Sequence, residues 1–456
     1  MTAATMTAPR PSARPPGPKG HWLRGNLDAF RADRLSFFTD CARTYGDVVA
    51  LRLGPFREVW ALNHPDLVEE VLVHKNRLFT KHFALRSARP SLGDGLLTSE
   101  GDFWRRQRRL AQPAFHRDRV AGYGRVMVEY TERMLRGWTD GQRRDVQADM
   151  MRLTLEVVAR TLFDADIADG SEDVARAMEI LLVSFTERVN RLVKLPTWVP
   201  VPSNLKFRRA IGVVDATLET IIADRRRTGE DRGDLLSMLL HAQDTEGDGS
   251  GMTDRQLRDE AVTLFMAGHE TTANTLAWVW YLLSRNPDAE SALHAELDEV
   301  LDGRPPEVSD LPRLVYTDRV VTEALRLMPT AWLLGREAIE ATEIGGYPVA
   351  KGVTLWMSQW VIHRDPRWFD DPEAFRPDRW AGDLAKRIPR YAYFPFGGGP
   401  RICIGNGFAL MEATLLLASI ARRFRLKVPT DAKITPLPTM TLRALGGIPV
   451  VLEARR

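Results

Sequence analysis

The residues that could do chemistry fall in four short stretches. "FPFGGGPRICIG", Phe394 to Gly405, holds Cys403, one of two cysteines in the 456-residue chain. "AGHETT", Ala267 to Thr272, sets an acid and two alcohols inside a long apolar run. "WRRQR" puts Trp104 and Arg108 at i and i+4, and "EALR" puts Glu323 and Arg326 at i and i+3, each pair on one helical face. Cys403 admits several readings. A nucleophile needs a base, and no His lies near it in sequence. A zinc site needs three or four ligands, and there is no CxxC companion. A packed structural cysteine is the plain alternative. The neighbours favour a metal thiolate. Gly397, Gly398, Gly399 and Gly405 would let the backbone approach a bound group. A helix starting just after Cys403 would aim amide N–H groups at the sulfur and lower its pKa. Such a thiolate suits iron, and Arg401 can pair with an anion beside the metal.

In "AGHETT", His269-Glu270 begins like HExxH, but Ala273 stands where the second His is needed, which excludes the zinc-protease reading. A buried helical Thr271 is expected to bond back to the Ala267 carbonyl and bend the helix. Gly268 would leave a hollow there, and such a groove admits a diatomic ligand and water. His269 is expected to be packed or partly exposed. Taken alone, Glu323 and Arg326 are a surface pair of about 0.2–0.5 kcal/mol. "QDTEGDGSG" sets Asp244, Glu246, Asp248 and Gly249 like the start of a calcium loop, but Arg255 occupies the twelfth position, where a bidentate Glu is required.

The elements that must position these residues are mostly helical. "DVVALRL" and "REVWALN" predict a hairpin around Gly54-Pro55, and "HPDLVEEVLVH" a helix with Pro65 in its first turn. Helical periodicity dominates from Trp104 to about Leu240. Thr253 and Gln256 predict a capping box for the long apolar helix. A helix is expected over Thr317 to Leu327, short strands in "EATEIGGYPVAKGVTLWMS", a proline-punctuated loop in "HRDPRWFDDPEAFRPDRW", and an amphipathic helix in "NGFALMEATLLLASIARRF". The fold class is mainly α with a minor β part.

Hydrophobic content of 44% and charged content of 27% describe an ordinary globular chain that can bury a large core. A net charge of +3 is too near balance to imply nucleic acid. Two cysteines make no disulfide framework and suit a reducing cytoplasm, and Cys41 is expected to be packed. The first twenty residues, proline-rich, are neither signal peptide nor anchor. Ala261 to Ser284 is long enough to span a bilayer, but an acid at its centre costs about 2.5–3.5 kcal/mol there, so a buried core helix is expected.

Phe396, Gly399, Arg401, Cys403 and Gly405, continued by Ala409 and Glu412, match the cysteine-ligand loop of the cytochrome P-450 haem-thiolate monooxygenases. The chain resembles a soluble bacterial-type member from the proline-rich start to "LRALGGIPV". The resemblance implies a cytochrome P-450 fold holding haem b (iron protoporphyrin IX) between a long central helix and the cysteine loop. It implies a tail over 1–20 and a single catalytic domain over 21–456. It makes Cys403 the iron ligand, with Phe396, Gly405, Ala409 and Ala267 against the cofactor. Trp104, Arg108, Arg336 and Arg401 would meet the haem propionates. Glu323, Arg326 and Arg379 of "FRPDRW" would form a structural ion network. Glu270 would deliver protons, and Thr271 would hold a water and hydrogen-bond dioxygen.

The resemblance further implies insertion of one oxygen atom of O2 into a hydrophobic small molecule by hydroxylation or epoxidation. Suggested pocket positions are Leu97, Phe265, Ala267, Ala331, Trp332, Leu333, Leu334, Thr439 and Met440. They are nearly all apolar, and fatty acid, terpenoid and polyketide substrates stay open. Lys81, Arg86 and Arg89 are expected at the surface. No reductase domain is read in the chain, so an external ferredoxin or flavodoxin with its NAD(P)H reductase would supply electrons. Arg105, Arg106 and Arg109 would either dock that carrier or form a solvated face. A peroxide-using haem-thiolate enzyme would often lack the Glu270-Thr271 pair, and a haem gas sensor would carry an output module.

Overall fold

The computed structural model describes residues 14–164, 196–244 and 249–455, together with 173–174, 176–177, 180–181, 184 and 247. The described residues divide into two compact units. The first draws on Met1–His82, Leu333–Pro372 and Lys386–Ile402, the second on Phe83–Trp332, Glu373–Ala385 and Cys403–Arg456.

The first unit is built on a five-stranded sheet. The expected hairpin forms between Val48–Arg52 and Glu58–Leu62, paired from Val48 with Leu62 to Arg52 with Glu58. Glu58–Leu62 continues in parallel to Thr354–Met357, which pairs antiparallel with Leu334–Ala338, and Phe79–Lys81 closes the edge. The β-branched and large apolar residues Val48, Trp60, Leu62, Leu355 and Met357 are buried on this sheet, where such side chains fit the pleated surface. Ala50 N donates to Pro16 O at 2.8 Å, so the proline segment is already held against the first strand by residue 16. Pro65 stands at the start of its helix as expected. That helix then widens into a π turn over Glu70–His74, which the sequence did not announce.

The second unit is helical around Asp254–Arg285, 32 residues long. Its capping box forms: Thr253 Oγ1 accepts from Gln256 N, and Gln256 Oε1 accepts from Thr253 N at 2.8 Å. Val146–Phe163 crosses it where Thr154 Oγ1 donates to His269 O at 2.9 Å. A Cβ on Gly268 would stand 3.1 Å from Val158 Cγ2. Gly268 therefore serves close helix packing, and the hollow expected there is partly filled by Val158. The helix after Cys403, Asn406–Ala421, is buried on all sides from Met411 onward. The amphipathic reading is thereby corrected: a helix apolar all round belongs inside the core. Val315–Leu327 starts two residues earlier than expected. The strands Arg143–Asp145, Pro449–Ala454 and Phe424–Lys427 form a small sheet, and Pro436–Pro438 with Leu442–Ala444 form a hairpin. Among the described residues, no helix is long and apolar enough to cross a membrane.

Candidate active site

Cys403 opens the second unit's last segment, three residues before its helix begins. It is open to solvent, yet burial pushes its thiol up, while the Gly405 amide and the Arg108 guanidinium favour the thiolate. The low thiol pKa expected from sequence is not a property of the polypeptide alone, because desolvation outweighs both favourable partners. Cys41 is buried, its thiol pushed up to about 11.

Two of the glycines before Cys403 also have a packing duty. Gly399 has φ +64°, and a Cβ there would run into the Leu72 carbonyl; one on Gly398 would run into the Tyr391 ring. They satisfy a tight turn and packing within the first unit. Tyr391 and His363, missed in the sequence, anchor this stretch: Gly399 N donates to Tyr391 Oη (3.2 Å) and Phe394 N to His363 Nε2 (2.9 Å). Phe396, Arg401, Gly405 and Ala409 are partly exposed.

Trp104 and Arg108 lie on Gly101–Ala111, Trp104 buried and Arg108 half-buried and in electrostatic reach of Cys403. Their neighbours are tied into the chain's own ion pairs. Arg109 reaches Asp244 at 3.0 Å, and Arg106 reaches Asp244 at 3.3 Å and Ser250 Oγ at 2.7 Å. Arg105 pairs with Asp102. Arg106 and Arg109 therefore fasten this helix to the loop ahead of the long helix, and buried Asp244 is their anchor. Of the other calcium-like positions, Glu246 and Asp248 lie outside the described residues.

On the long helix, Ala267 is exposed and Gly268 and Thr271 half-exposed, while the stretch around them is buried. Thr271 Oγ1 donates to Ala267 O at 2.7 Å, as expected. His269 is packed: Nδ1–H donates to Phe265 O at 3.2 Å, and burial pushes its pKa down to about 4. Glu270 is buried, and burial pushes its carboxyl up against the opposing effects of Thr441 and Arg443. Its Oε1 accepts from Thr441 Oγ1 at 2.8 Å. Thr441 was missed because the contact joins residues 171 apart.

The network of Glu323, Arg326 and Arg379 forms and is buried. Arg326 Nη2 and Arg379 Nε both reach Glu323 Oε1 at 2.8 Å. Trp380 Nε1 and Arg376 N, both missed, also donate to Glu323 (2.8 and 3.0 Å). The surface pair that the i, i+3 spacing alone would give is thus a buried pair at the centre of a five-member cluster.

Leu97 and Met440 pack against the apolar cluster that contains Phe265. Leu97's loop is held by the long helix's acids: Leu96 N donates to Glu260 and Asp94 N to Asp259. Trp332 is buried, its indole N–H donating to Thr439 O at 3.0 Å, while Ala331 beside it is exposed. Leu333 is half-buried in the first unit, and Leu334 packs on that unit's sheet core. Arg336 is buried there opposite Lys81, which is also buried, against the surface placement expected for Lys81. Two cations in register on neighbouring strands suit an anionic group. Arg89 is at the surface, paired with Asp94, and Arg86 is half-buried.

The second unit's set fits a haem: a solvent-accessible thiol at a helix start, a guanidinium in electrostatic reach of it, and an opening in an otherwise buried helix. The Cytochrome P450 family profile matches residues 15–449, and the chain belongs to that family. It is a haem b monooxygenase supplied with electrons by a redox partner. Cyclooctatin synthase of Streptomyces melanosporofaciens is 42% identical over 100% of this chain and 99% of its own length. Cyclooctat-9-en-7-ol 5-monooxygenase of the same organism is 39% identical with the same coverage. Pentalenene oxygenase of Streptomyces avermitilis is 36% identical over 89% of this chain and 90% of its own.

Proposed function

We propose that this enzyme inserts one oxygen atom of O2 into a cyclic terpenoid. Support for the substrate class comes from Streptomyces relatives that match over most of their length, a cyclooctat-9-en-7-ol 5-monooxygenase and a pentalenene oxygenase. The structural observation that carries the chemistry is the break in burial at Ala267, Gly268 and Thr271, in the same unit as Cys403. Bound haem b supplies oxygen activation; the polypeptide supplies the thiolate, the counter-charges and the protons.

Cys403 gives the ligand sulfur, with Gly405 N–H and Arg108 supporting its negative charge. Trp104, Arg108, Arg336 and Arg401 neutralise and hydrogen-bond the propionates, and Lys81 adds charge beside Arg336. Phe396, Ala409 and Ala267 offer small or apolar contact. Thr271 spends its proton on Ala267 O, so its lone pairs are left to accept from a water. Glu270 replenishes protons as a general acid whose charged form is disfavoured by burial. Leu97, Phe265, Ala331, Trp332, Leu333, Leu334, Thr439 and Met440 shape an apolar pocket. Residues 21–456 act as one catalytic domain in the cytoplasm. The donor is a ferredoxin or flavodoxin with its NAD(P)H reductase.

The test is a visible spin-state titration of the haem-loaded protein. Cyclic terpene hydrocarbons and their mono-alcohols should shift the spectrum from low to high spin, while fatty acids and macrolide precursors should not. A shift confined to the latter two overturns the substrate class.

A further inference from the structure

The returning strand of the Pro436–Ala444 hairpin is strapped to one face of the long helix. Glu270, Asn274 and Trp278 stand at i, i+4 and i+8 and so share that face. Thr441 Oγ1 donates to Glu270 Oε1 at 2.8 Å. Asn274 Nδ2 donates to Thr441 Oγ1 at 3.3 Å, and Trp278 Nε1 donates to Leu442 O at 2.9 Å. From another side, Leu442 N donates to Thr330 O at 2.9 Å, and Thr330 Oγ1 shares a 2.9 Å bond with Thr275 Oγ1. The tip before Thr441 is folded onto it: Thr439 N and Oγ1 both donate to Thr441 O, at 3.0 and 2.8 Å. Met440, between them, packs on the apolar cluster that includes Phe265.

A hydroxyl carries one proton and two lone pairs. The Asn274 amide can only donate here, so it occupies a lone pair of Thr441 and leaves the hydroxyl proton for Glu270. Asn274 and Thr441 are 1% and 5% exposed, so no bulk water competes for these bonds.

We propose that Thr441 is a positioning residue for Glu270: its hydroxyl, aligned by Asn274, holds the carboxyl on the hairpin that carries Met440 and links that tip to proton delivery. The inference rests on the reading of Glu270 as the proton-delivering acid. A substrate that displaces Met440 moves the backbone one residue from Thr441. Arg443 on the same strand adds positive charge that favours the carboxylate. The titratable neighbours His269, on the same helix, and Glu412, which packs across at Thr272, are held neutral near pH 7, with pKa values pushed to about 4 and about 8.

Thr441→Val removes the hydroxyl at nearly constant volume. In the haem-loaded enzyme with its redox partner, product formed per NAD(P)H should fall about threefold or more, and the apparent pKa of that coupling should rise by about one unit, once the donated bond is gone. Thr441→Ser should restore both. A readout free of turnover is infrared difference spectroscopy. The protonated carboxyl band of Glu270, assigned by its loss in Glu270→Gln, should shift in T441V and return in T441S. An unchanged pH profile with an unshifted band overturns the inference. Where T441V fails to take up haem, Thr441→Ala undergoes the same measurements and decides. If Glu270→Gln leaves coupling intact, the acid reading fails, and the band shift alone still decides whether Thr441 holds the carboxyl.

Discussion

Glu412 carries a carboxyl in the least favourable place for a charge, fully buried on the helix after Cys403. Burial pushes its pKa up to about 8, against the smaller opposing effect of Thr272. An acid whose pKa is raised on folding stabilises fully below its unfolded value of 4.5. That stability is lost as pH climbs toward about 8. Glu412→Gln, neutral at every pH, should flatten this decline and be about 3 kcal/mol more stable than the parent at pH 7, relative to their difference at pH 4. Urea unfolding at both pH values checks it; equal differences would show that Glu412 ionises freely in the fold. Single residues were legible where chemistry is local. The Thr271 bond to Ala267 follows from helical spacing, and the packed His269 from its apolar surround. The Thr441 partner of Glu270 was not legible, since a hydroxyl in a distant hairpin leaves no local trace. The packing duty of two glycines in the cysteine loop was hidden for the same reason: Leu72 and Tyr391, which forbid a side chain at Gly399 and Gly398, come from other parts of the chain.

Elements join through a few polar fastenings, and the Asp244 clasp is the one that bears on Trp104 and Arg108. Asp244 is 4% exposed, whereas Arg109 is 42% exposed. Removal of the acid strands two guanidinium groups beside a desolvated loop; removal of Arg109 leaves Arg106 in place. Asp244→Ala should therefore cost about 2 kcal/mol, and Arg109→Ala about 0.5–1 kcal/mol. Denaturant midpoints of the two variants test the order. If carrier docking were the duty of Arg109, R109A would instead leave the midpoint unmoved and raise the KM for the carrier. The same physics explains what was readable at this scale. The capping box of Thr253 and Gln256, the hairpin around Gly54-Pro55 and the helix end at Leu327 are written in adjacent residues and came out as expected. The helix Asn406–Ala421 came out buried all round, because its small residues Ala413, Ala418, Ser419 and Ala421 face neighbouring helices as closely as its leucines do. Period alone does not distinguish a one-sided face from a fully packed one when the polar side is made of small residues.

Across the whole molecule, 63 basic and 60 acidic residues nearly cancel, so pH acts through a few buried groups more than through net charge. His269 is held neutral with its pKa pushed down to about 4 by burial, and His294 down to about 3 by burial and the cations Arg455, Arg425 and Lys427. A depressed histidine keeps its stabilising neutral form above its unfolded value of 6.5, and that contribution is lost as pH falls toward the folded value. Its sign is opposite to that of Glu412, and the two windows overlap between 4.5 and 6.5. Across the overlap the Glu412 loss and the His269 gain thus nearly cancel, and His294 adds a further gain as pH rises. His269→Gln keeps a neutral side chain of similar reach, so it should remove about 3 kcal/mol of the loss between pH 6.5 and pH 4. The check is a series of urea midpoints for parent and variant at half-unit steps. Parallel curves would mean that His269 takes up its proton without unfolding, and that the crossing with Thr154 and Val158 opens to water. Convergence of the curves above pH 6.5, with the parent falling away below it, is the expected result. It would leave the long helix as a rigid, dry frame broken at Ala267, Gly268 and Thr271.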